Sequence, residues 1–217
     1  MIKAVIFDMD GVVVNIAPVK RETWKRLGKA IGIEISEEDC IAQSGMTTRE
    51  VLRSLFSDAP DSKIEEYMSL KRALYRQTQE EFDLPLVGGV DEFIKSLRSN
   101  GFKIGLATSS QKVNVEIALS RTGVASLFDA ILTAEDIIHG KPDPEVYKKM
   151  AGLLNVPPGQ CLVFEDSLRG IEAGLGAGMK VCLVETTHKA DELTQYSLWR
   201  AIPDFTEISA EDIQAMP

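Results

Sequence analysis

Asp8-Met9-Asp10-Gly11 follows directly on the apolar run Ala4-Val5-Ile6-Phe7. Residues two apart on a strand project to the same side. Both acids therefore point toward the crevice beyond the carboxyl edge of a parallel sheet, where open α/β folds bind ligands. Gly11 lets the chain turn at once. Two carboxylates held so close are costly unless a cation or a shared proton relieves them. A hard divalent metal meets that need and leaves one acid to attack while the other carries a proton. An acidic turn that merely ends a strand is the competing reading.

Three further segments combine reactive side chains with strand ends or stiff turns. Thr108-Ser109-Ser110 follows Lys103-Ile104-Gly105-Leu106-Ala107 and opens a helical pattern. Hydroxyls and free N–H groups at such a helix start suit a phosphate oxygen, although Ser and Thr also serve as plain caps. Gly140-Lys141-Pro142-Asp143-Pro144 fixes a lysine in a turn whose prolines restrain φ; an ordinary solvated lysine is the alternative. Phe164-Glu165-Asp166-Ser167 ends another apolar run in two acids, which could also be simple caps. Gly170, Gly174, Gly176 and Gly178 then allow a helix to lie close to the sheet.

The elements that must carry these residues are short buried strands alternating with helices. Besides the first run, Lys103–Ala107, Ala130-Ile131-Leu132, Cys161-Leu162-Val163-Phe164 and Lys180-Val181-Cys182-Leu183-Val184 read as strands covered on both faces. Helical patterns fall at roughly 90–99, 112–123, 144–154 and 168–177. This alternation predicts an α/β fold with a doubly wound, mostly parallel, Rossmann-like sheet. Residues 15–84 break the pattern with helices at roughly 18–31, 37–43, 47–57 and 61–81. Ser36 followed by Glu37, Glu38 and Asp39 suits a helix start. The expected organisation is a catalytic core of residues 1–14 and 85–217, with an α-helical cap of residues 15–84 inserted after the first strand. The insert reads as a lid, or as a separate structural domain.

Composition narrows the function classes. The chain has 217 residues and a formal net charge of −9, which argues against a nucleic-acid backbone as partner. It contains no apolar stretch long enough to span a bilayer. Its start, Met1-Ile2-Lys3-Ala4, lacks a signal-peptide layout. Cys40, Cys161 and Cys182 are scattered, and the last two sit in apolar runs as core residues. A cytoplasmic monomer or weak dimer is expected.

Four ordered motifs, F-D-M-D-G-V, A-T-S-S, G-K-P-D-P and F-E-D-S-L-R-G-I-E-A-G-L-G-A-G-M, resemble those of the haloacid dehalogenase-like hydrolases. The similarity is greatest to the β-phosphoglucomutase-like and phosphoglycolate phosphatase-like branch. The resemblance implies that Asp8 attacks phosphorus to give an aspartyl-phosphate, and that Asp10 protonates the leaving oxygen and later activates water. It implies Mg²⁺ held by the Asp8 carboxylate, the Asp10 backbone carbonyl and Asp166, with Glu165 a further candidate ligand. Thr108, the Ser109 amide and Lys141 are implied to surround the transferring phosphoryl group. The second aspartate, Asp10, argues against dehalogenation.

Within the branch, the cap sets the substrate. Gly45-Met46-Thr47-Thr48-Arg49 resembles a cap loop whose arginine contacts the distal part of the substrate, and Trp24 stands where the mutases place a cap tryptophan. Lys20 takes the place of a mutase histidine that couples lid closure to substrate binding. Asn15 replaces a hinge aspartate, and Gln111 a phosphate-contacting lysine, although Lys112 is adjacent. The departures at Lys20 and Gln111 favour a Mg²⁺-dependent phosphatase of small phosphorylated metabolites, including sugar phosphates, while Asn15 favours neither reading. A hexose-phosphate mutase is the alternative, and a non-catalytic phosphometabolite-binding protein a third. His139 and His188 lack metal-ligand spacing and read as incidental. Tyr67, Leu70, Leu74 and Tyr75 read as lid packing, Lys71-Arg72 as a solvated face, and the acidic tail after Pro203 as uninformative.

Overall fold

In a computed structural model, residues 1–36 and 47–216 are described. The expected helix over 37–43, Cys40 and the Gly45-Met46 part of the cap-loop pattern lie outside them. The chain divides into two compact units, Met1–Asn15 with Pro85–Pro217, and Ile16–Leu84.

The larger unit is built on a six-stranded sheet whose strands all pair in parallel. In chain order its strands are β1 (Ala4–Phe7), β2 (Lys103–Ala107), β3 (Ala130–Leu132), β4 (Cys161–Glu165), β5 (Lys180–Val184) and β6 (Arg200–Ile202). Their spatial order is β3-β2-β1-β4-β5-β6. β1 is thus central, and all four of its residues are buried, which is why it reads as an unbroken apolar run. β6 was not expected: only Ile202 of its three residues is buried, so this edge strand carries no apolar run to betray it. Among the described residues, no helix is long and apolar enough to cross a membrane.

Strand alternation separates the two faces of the sheet and decides which side the acids take. Ala4 and Ile6 of β1, with Cys161 and Val163 of β4, pack against Val146, Tyr147, Met150 and Ala151 of the helix Glu145–Leu154 and against Ile171 and Ala173 of the helix Leu168–Gly176. The same alternation carries Asp8 and Glu165 toward that helical layer. Phe7 and Phe164 stack 5.2 Å apart, and Phe93 of the helix Val90–Ser99 meets the Phe164 ring edge-on at 5.6 Å. Phe205 closes this aromatic cluster, 5.1 Å from Phe164 and 5.8 Å from Phe7. The tail after Pro203 therefore supplies core, and its last helix (Ala210–Gln214) starts at a Ser209–Asp212 capping box.

The smaller unit consists, among the described residues, of the helices Ala17–Ile31, Thr48–Leu55 and Asp61–Glu81. Trp24, Leu27, Ile35, Val51, Leu52 and Ile64 form its core, with Tyr67, Leu70 and Leu74 packed against it. A Thr47–Glu50 capping box starts the second helix, so Thr47 and Glu50 serve two free N–H groups reciprocally.

Phe93→Ala, which empties the centre of the aromatic cluster, is expected to cost about 3–5 kcal/mol in urea unfolding. A loss below about 1 kcal/mol would contradict this packing.

Candidate active site

Four parallel strands end together, and their ends bear the reactive groups. β1 and β4 run in register with Phe7 opposite Phe164, so the next residues, Asp8 and Glu165, emerge side by side. The Asp8 amide continues the ladder by donating to the Phe164 carbonyl at 3.0 Å. Lys141 fills the space between the two acids. Its Nζ donates to Asp8 Oδ1 at 2.6 Å, to Glu165 Oε1 at 2.6 Å and to the Ala107 carbonyl of β2 at 3.2 Å. The lysine side chain is only 6 % exposed, so it is a buried counter-ion and not a solvated charge. A cis Lys141-Pro142 peptide leads into the helix Glu145–Leu154.

Glu165 is saturated by the protein. Its Oε1 also accepts from the Tyr147 hydroxyl at 2.6 Å, while Oε2 accepts from the Asp166 and Ser167 amides and the Ser167 hydroxyl at 3.0–3.2 Å. Gly170 makes room for this arrangement, since a Cβ there would lie 1.8 Å from Glu165 Oε1. The expectation that Glu165 ligates a metal directly therefore meets a carboxylate whose two oxygens already hold protein donors.

Asp166 is held from the other side. The Thr187 hydroxyl donates to its Oδ2, and the Thr186 hydroxyl donates to the Gly11 carbonyl at 2.6 Å. Gly11 has φ +91°, and a Cβ on it would lie 2.1 Å from Asp166 Oδ2. Glycine is thus required both for the turn and for the carboxylate beside it. The Asp10 amide donates to Asp8 Oδ2 at 3.0 Å. Ser110 donates its hydroxyl to Asp10 Oδ2, while Asp10 Oδ1 is buried without a partner among the described residues. Thr108 is buried and its hydroxyl accepts from the Ser110 amide at 3.0 Å; Ser109 is exposed at the same turn.

Asp8, Glu165 and Asp166 are buried and offer carboxylate oxygens all within 4.8 Å of one another, and the Lys141 ammonium pairs with two of them. Burial pushes the Asp8 carboxyl well up from its ordinary value; Lys141 opposes this, and the Glu165, Asp166 and Asp10 charges add to it. Burial also works against a charged Glu165, but the Lys141 charge and hydrogen bond, with the bonds from Tyr147 and Ser167, hold it below the ordinary value. Burial opposes a charged Lys141 too, and Asp8 and Glu165 outweigh it, keeping the lysine protonated. Burial and the Glu165 charge push the Tyr147 phenol well up. The buried carboxylates of Asp8 and Asp166, oxygen-only donors on this cluster, fit Mg²⁺.

The sequence-predicted core residues Asp8, Asp10, Thr108, Lys141, Glu165 and Asp166 meet at these strand ends. The candidates in the smaller unit have other surroundings. Trp24 is 8 % exposed in that unit's core. The Lys71 ammonium lies 4.3 Å from the Trp24 ring centroid and donates to Thr48, so Lys71 is not simply solvated. Arg49 pairs with Glu65, and Lys20 is exposed on the first helix. Tyr147, Thr186 and Thr187 escaped the sequence reading. Tyr147 reads as helix core; Thr186-Thr187 could have been found, because they follow β5 as the acids follow β1 and β4.

The profile of the haloacid dehalogenase-like hydrolase family matches residues 5–184. The chain is 30% identical over 208 residues to validoxylamine A 7'-phosphate phosphatase of Streptomyces hygroscopicus subsp. limoneus, covering 96% of each chain. A family IA, variant 3 hydrolase of this superfamily from Entamoeba histolytica superimposes with a TM-score of 0.87 at 28% identity, covering 98% of this chain and 97% of that one. β-Phosphoglucomutase from Clostridium difficile superimposes with a TM-score of 0.78 at 27% identity, covering 99% and 96%. The chain belongs to the haloacid dehalogenase-like hydrolase family.

Replacing Lys141 by Met keeps the volume and strands two buried acids. Lys141→Met is expected to cost about 3–5 kcal/mol in urea unfolding at neutral pH. Glu165 has a lowered pKa in the folded wild type, so its pairing stabilises above the ordinary carboxyl value and is lost as pH falls through the depressed one. The deficit of the variant should therefore shrink on acidification. A cost below about 1 kcal/mol at every pH would contradict the buried pairing.

Proposed function

We propose that the protein is a Mg²⁺-dependent phosphatase of small phosphorylated metabolites that works through an aspartyl-phosphate on Asp8. The observation that carries this reading is the Asp8 carboxylate, fixed at the end of the central strand by Lys141 and by the Asp10 amide. The similarity to a phosphatase of a phosphorylated compound, over 96% of each chain, supports the same reaction class. The Asp8 carboxylate, the Asp10 backbone carbonyl and Asp166 are the residues that would hold Mg²⁺, which supplies positive charge for the buried acids and for phosphoryl oxygens when bound. Glu165 is assigned to Lys141 instead of to the metal.

In this mechanism an Asp8 oxygen attacks phosphorus while the ester oxygen leaves, and Asp10 donates a proton to that oxygen. Asp10 is then the base that takes a proton from the water that hydrolyses the acyl phosphate. Its two oxygens already differ, one held by Ser110 and one buried without a partner among the described residues. Lys141 and the Thr108–Ser109 turn supply positive charge and donors to the equatorial oxygens, where charge spreads in phosphoryl transfer. The Ile16–Leu84 unit is assigned substrate selection, with Arg49 and Lys20 its candidate anion contacts.

A hexose-phosphate mutase is the second reading, favoured by the likeness to β-phosphoglucomutase. The two part on products, because a mutase must return the phosphoryl group to substrate before water takes it. The expected outcome with β-glucose 1-phosphate and a bisphosphate activator is little glucose 6-phosphate. Stoichiometric isomerisation with negligible phosphate release would promote the mutase.

Two measurements test the phosphatase reading. Across a panel of phosphorylated metabolites and p-nitrophenyl phosphate, Asp8→Asn should abolish phosphate release while thermal stability is kept, since an amide is a far poorer nucleophile. Retention of wild-type turnover would exclude the covalent route. Chelation should abolish turnover and Mg²⁺ restore it, with Asp166→Ala demanding more metal; full activity after thorough chelation would refute the metal assignment.

A further inference from the structure

We propose that Tyr147 is a positioning residue for this reaction, acting through Glu165 to hold the Lys141 ammonium on Asp8. The inference rests on the phosphatase reading above and extends it to a group outside the four sequence motifs' acids, hydroxyls and lysine. Tyr147 is fully buried in the helix Glu145–Leu154, on the layer that covers Ala4 and Ile6 of β1. Its hydroxyl donates to Glu165 Oε1 at 2.6 Å, the same oxygen that takes Lys141 Nζ at 2.6 Å. The face of its ring meets the same ammonium, 4.9 Å from the centroid.

The geometry makes the phenol a competitor that works in favour of the nucleophile. Lys141 is shared between two carboxylates at equal distance, Asp8 and Glu165. A Glu165 oxygen with no other donor would draw the ammonium to itself, away from the atom that must attack. Tyr147 takes part of the charge on that oxygen, and the Asp166 and Ser167 amides hold the other oxygen. Glu165 can then fix the height of Lys141 without capturing it. The ring contributes a second constraint, because an aromatic face attracts a desolvated ammonium. Phenylalanine at position 147 would keep the second role and lose the first.

Tyr147→Phe separates the two. With p-nitrophenyl phosphate as probe, kcat should fall about ten-fold or more, the scale of one hydrogen bond to a charged group. KM should stay within about two-fold, because substrate binding is not what the hydroxyl serves. Glu165→Gln removes the charge through which the hydroxyl acts, so in that background Tyr147→Phe should change kcat by less than about two-fold. Wild-type kcat in Tyr147→Phe, or an equal loss in both backgrounds, would overturn the proposal. Urea unfolding of Tyr147→Phe, Lys141→Met and their double variant gives a readout that needs no turnover. Positioning through Glu165 requires the two stability losses to be non-additive; additive losses would overturn the proposal even if the wild type hydrolyses no phosphomonoester, an outcome that would by itself refute only the phosphatase reading.

Discussion

The Lys141 ammonium, wedged between Asp8 and Glu165 under the central strands, is the interaction on which the rest of the site depends. Buried charge is expensive, and attraction between partners offsets that expense only when geometry is good and the remaining lone pairs are served. Glu165 meets this condition through Tyr147, Ser167 and two backbone amides. Asp8 meets it less fully, with Lys141 and the Asp10 amide as its bonds. The two acids differ accordingly. Glu165 is an ionised anchor, and Asp8 is the acid left with reactive capacity. That division follows from where the donors are placed, not from residue type.

The sheet makes the division possible. Parallel pairing in register puts the ends of β2, β1 and β4 level, so that a carbonyl, the proposed nucleophile and an anchor surround one lysine. Two glycines then allow close approach: Gly11 beside Asp166, and Gly170 beside Glu165. Neither position has room for a Cβ. Hydroxyls complete the frame, with Ser110 on Asp10 and Thr187 on Asp166. Each side chain proposed to react is thus oriented by another that is not, which is how a site keeps its geometry before substrate arrives.

Legibility in the sequence followed the strength of the local signal. Doubly covered strands announce themselves as apolar runs, so β1 to β5 were readable, while β6, with one buried residue, was not. The acids at the ends of β1 and β4, and the lysine just before two prolines, stand out because such residues are unusual where a core strand ends or a stiff turn begins. Tyr147 gave no such sign, since an aromatic at a helical core position is ordinary until its hydroxyl is seen to have a partner. Trp24 carried a likeness to a cap tryptophan, and its ring lies in the helical unit's core beneath Lys71. Glu165 is the instructive case of the site: its place beside Asp166 suggested a ligand, and the fold brings Lys141 and Tyr147, remote in sequence, to one of its oxygens while the neighbouring Asp166 and Ser167 bond the other.

The central claim is that Asp8 is the nucleophile. Its most direct test is to quench the enzyme in acid during turnover of its best phosphomonoester with Mg²⁺ present, and to locate the phosphoryl group by peptide mass spectrometry. The account predicts a phosphoryl group on Asp8, formed and lost at rates compatible with turnover and absent from Asp8→Asn. Rapid turnover with no phosphoryl group on Asp8 at any quench time, or with the group on another residue, would contradict it.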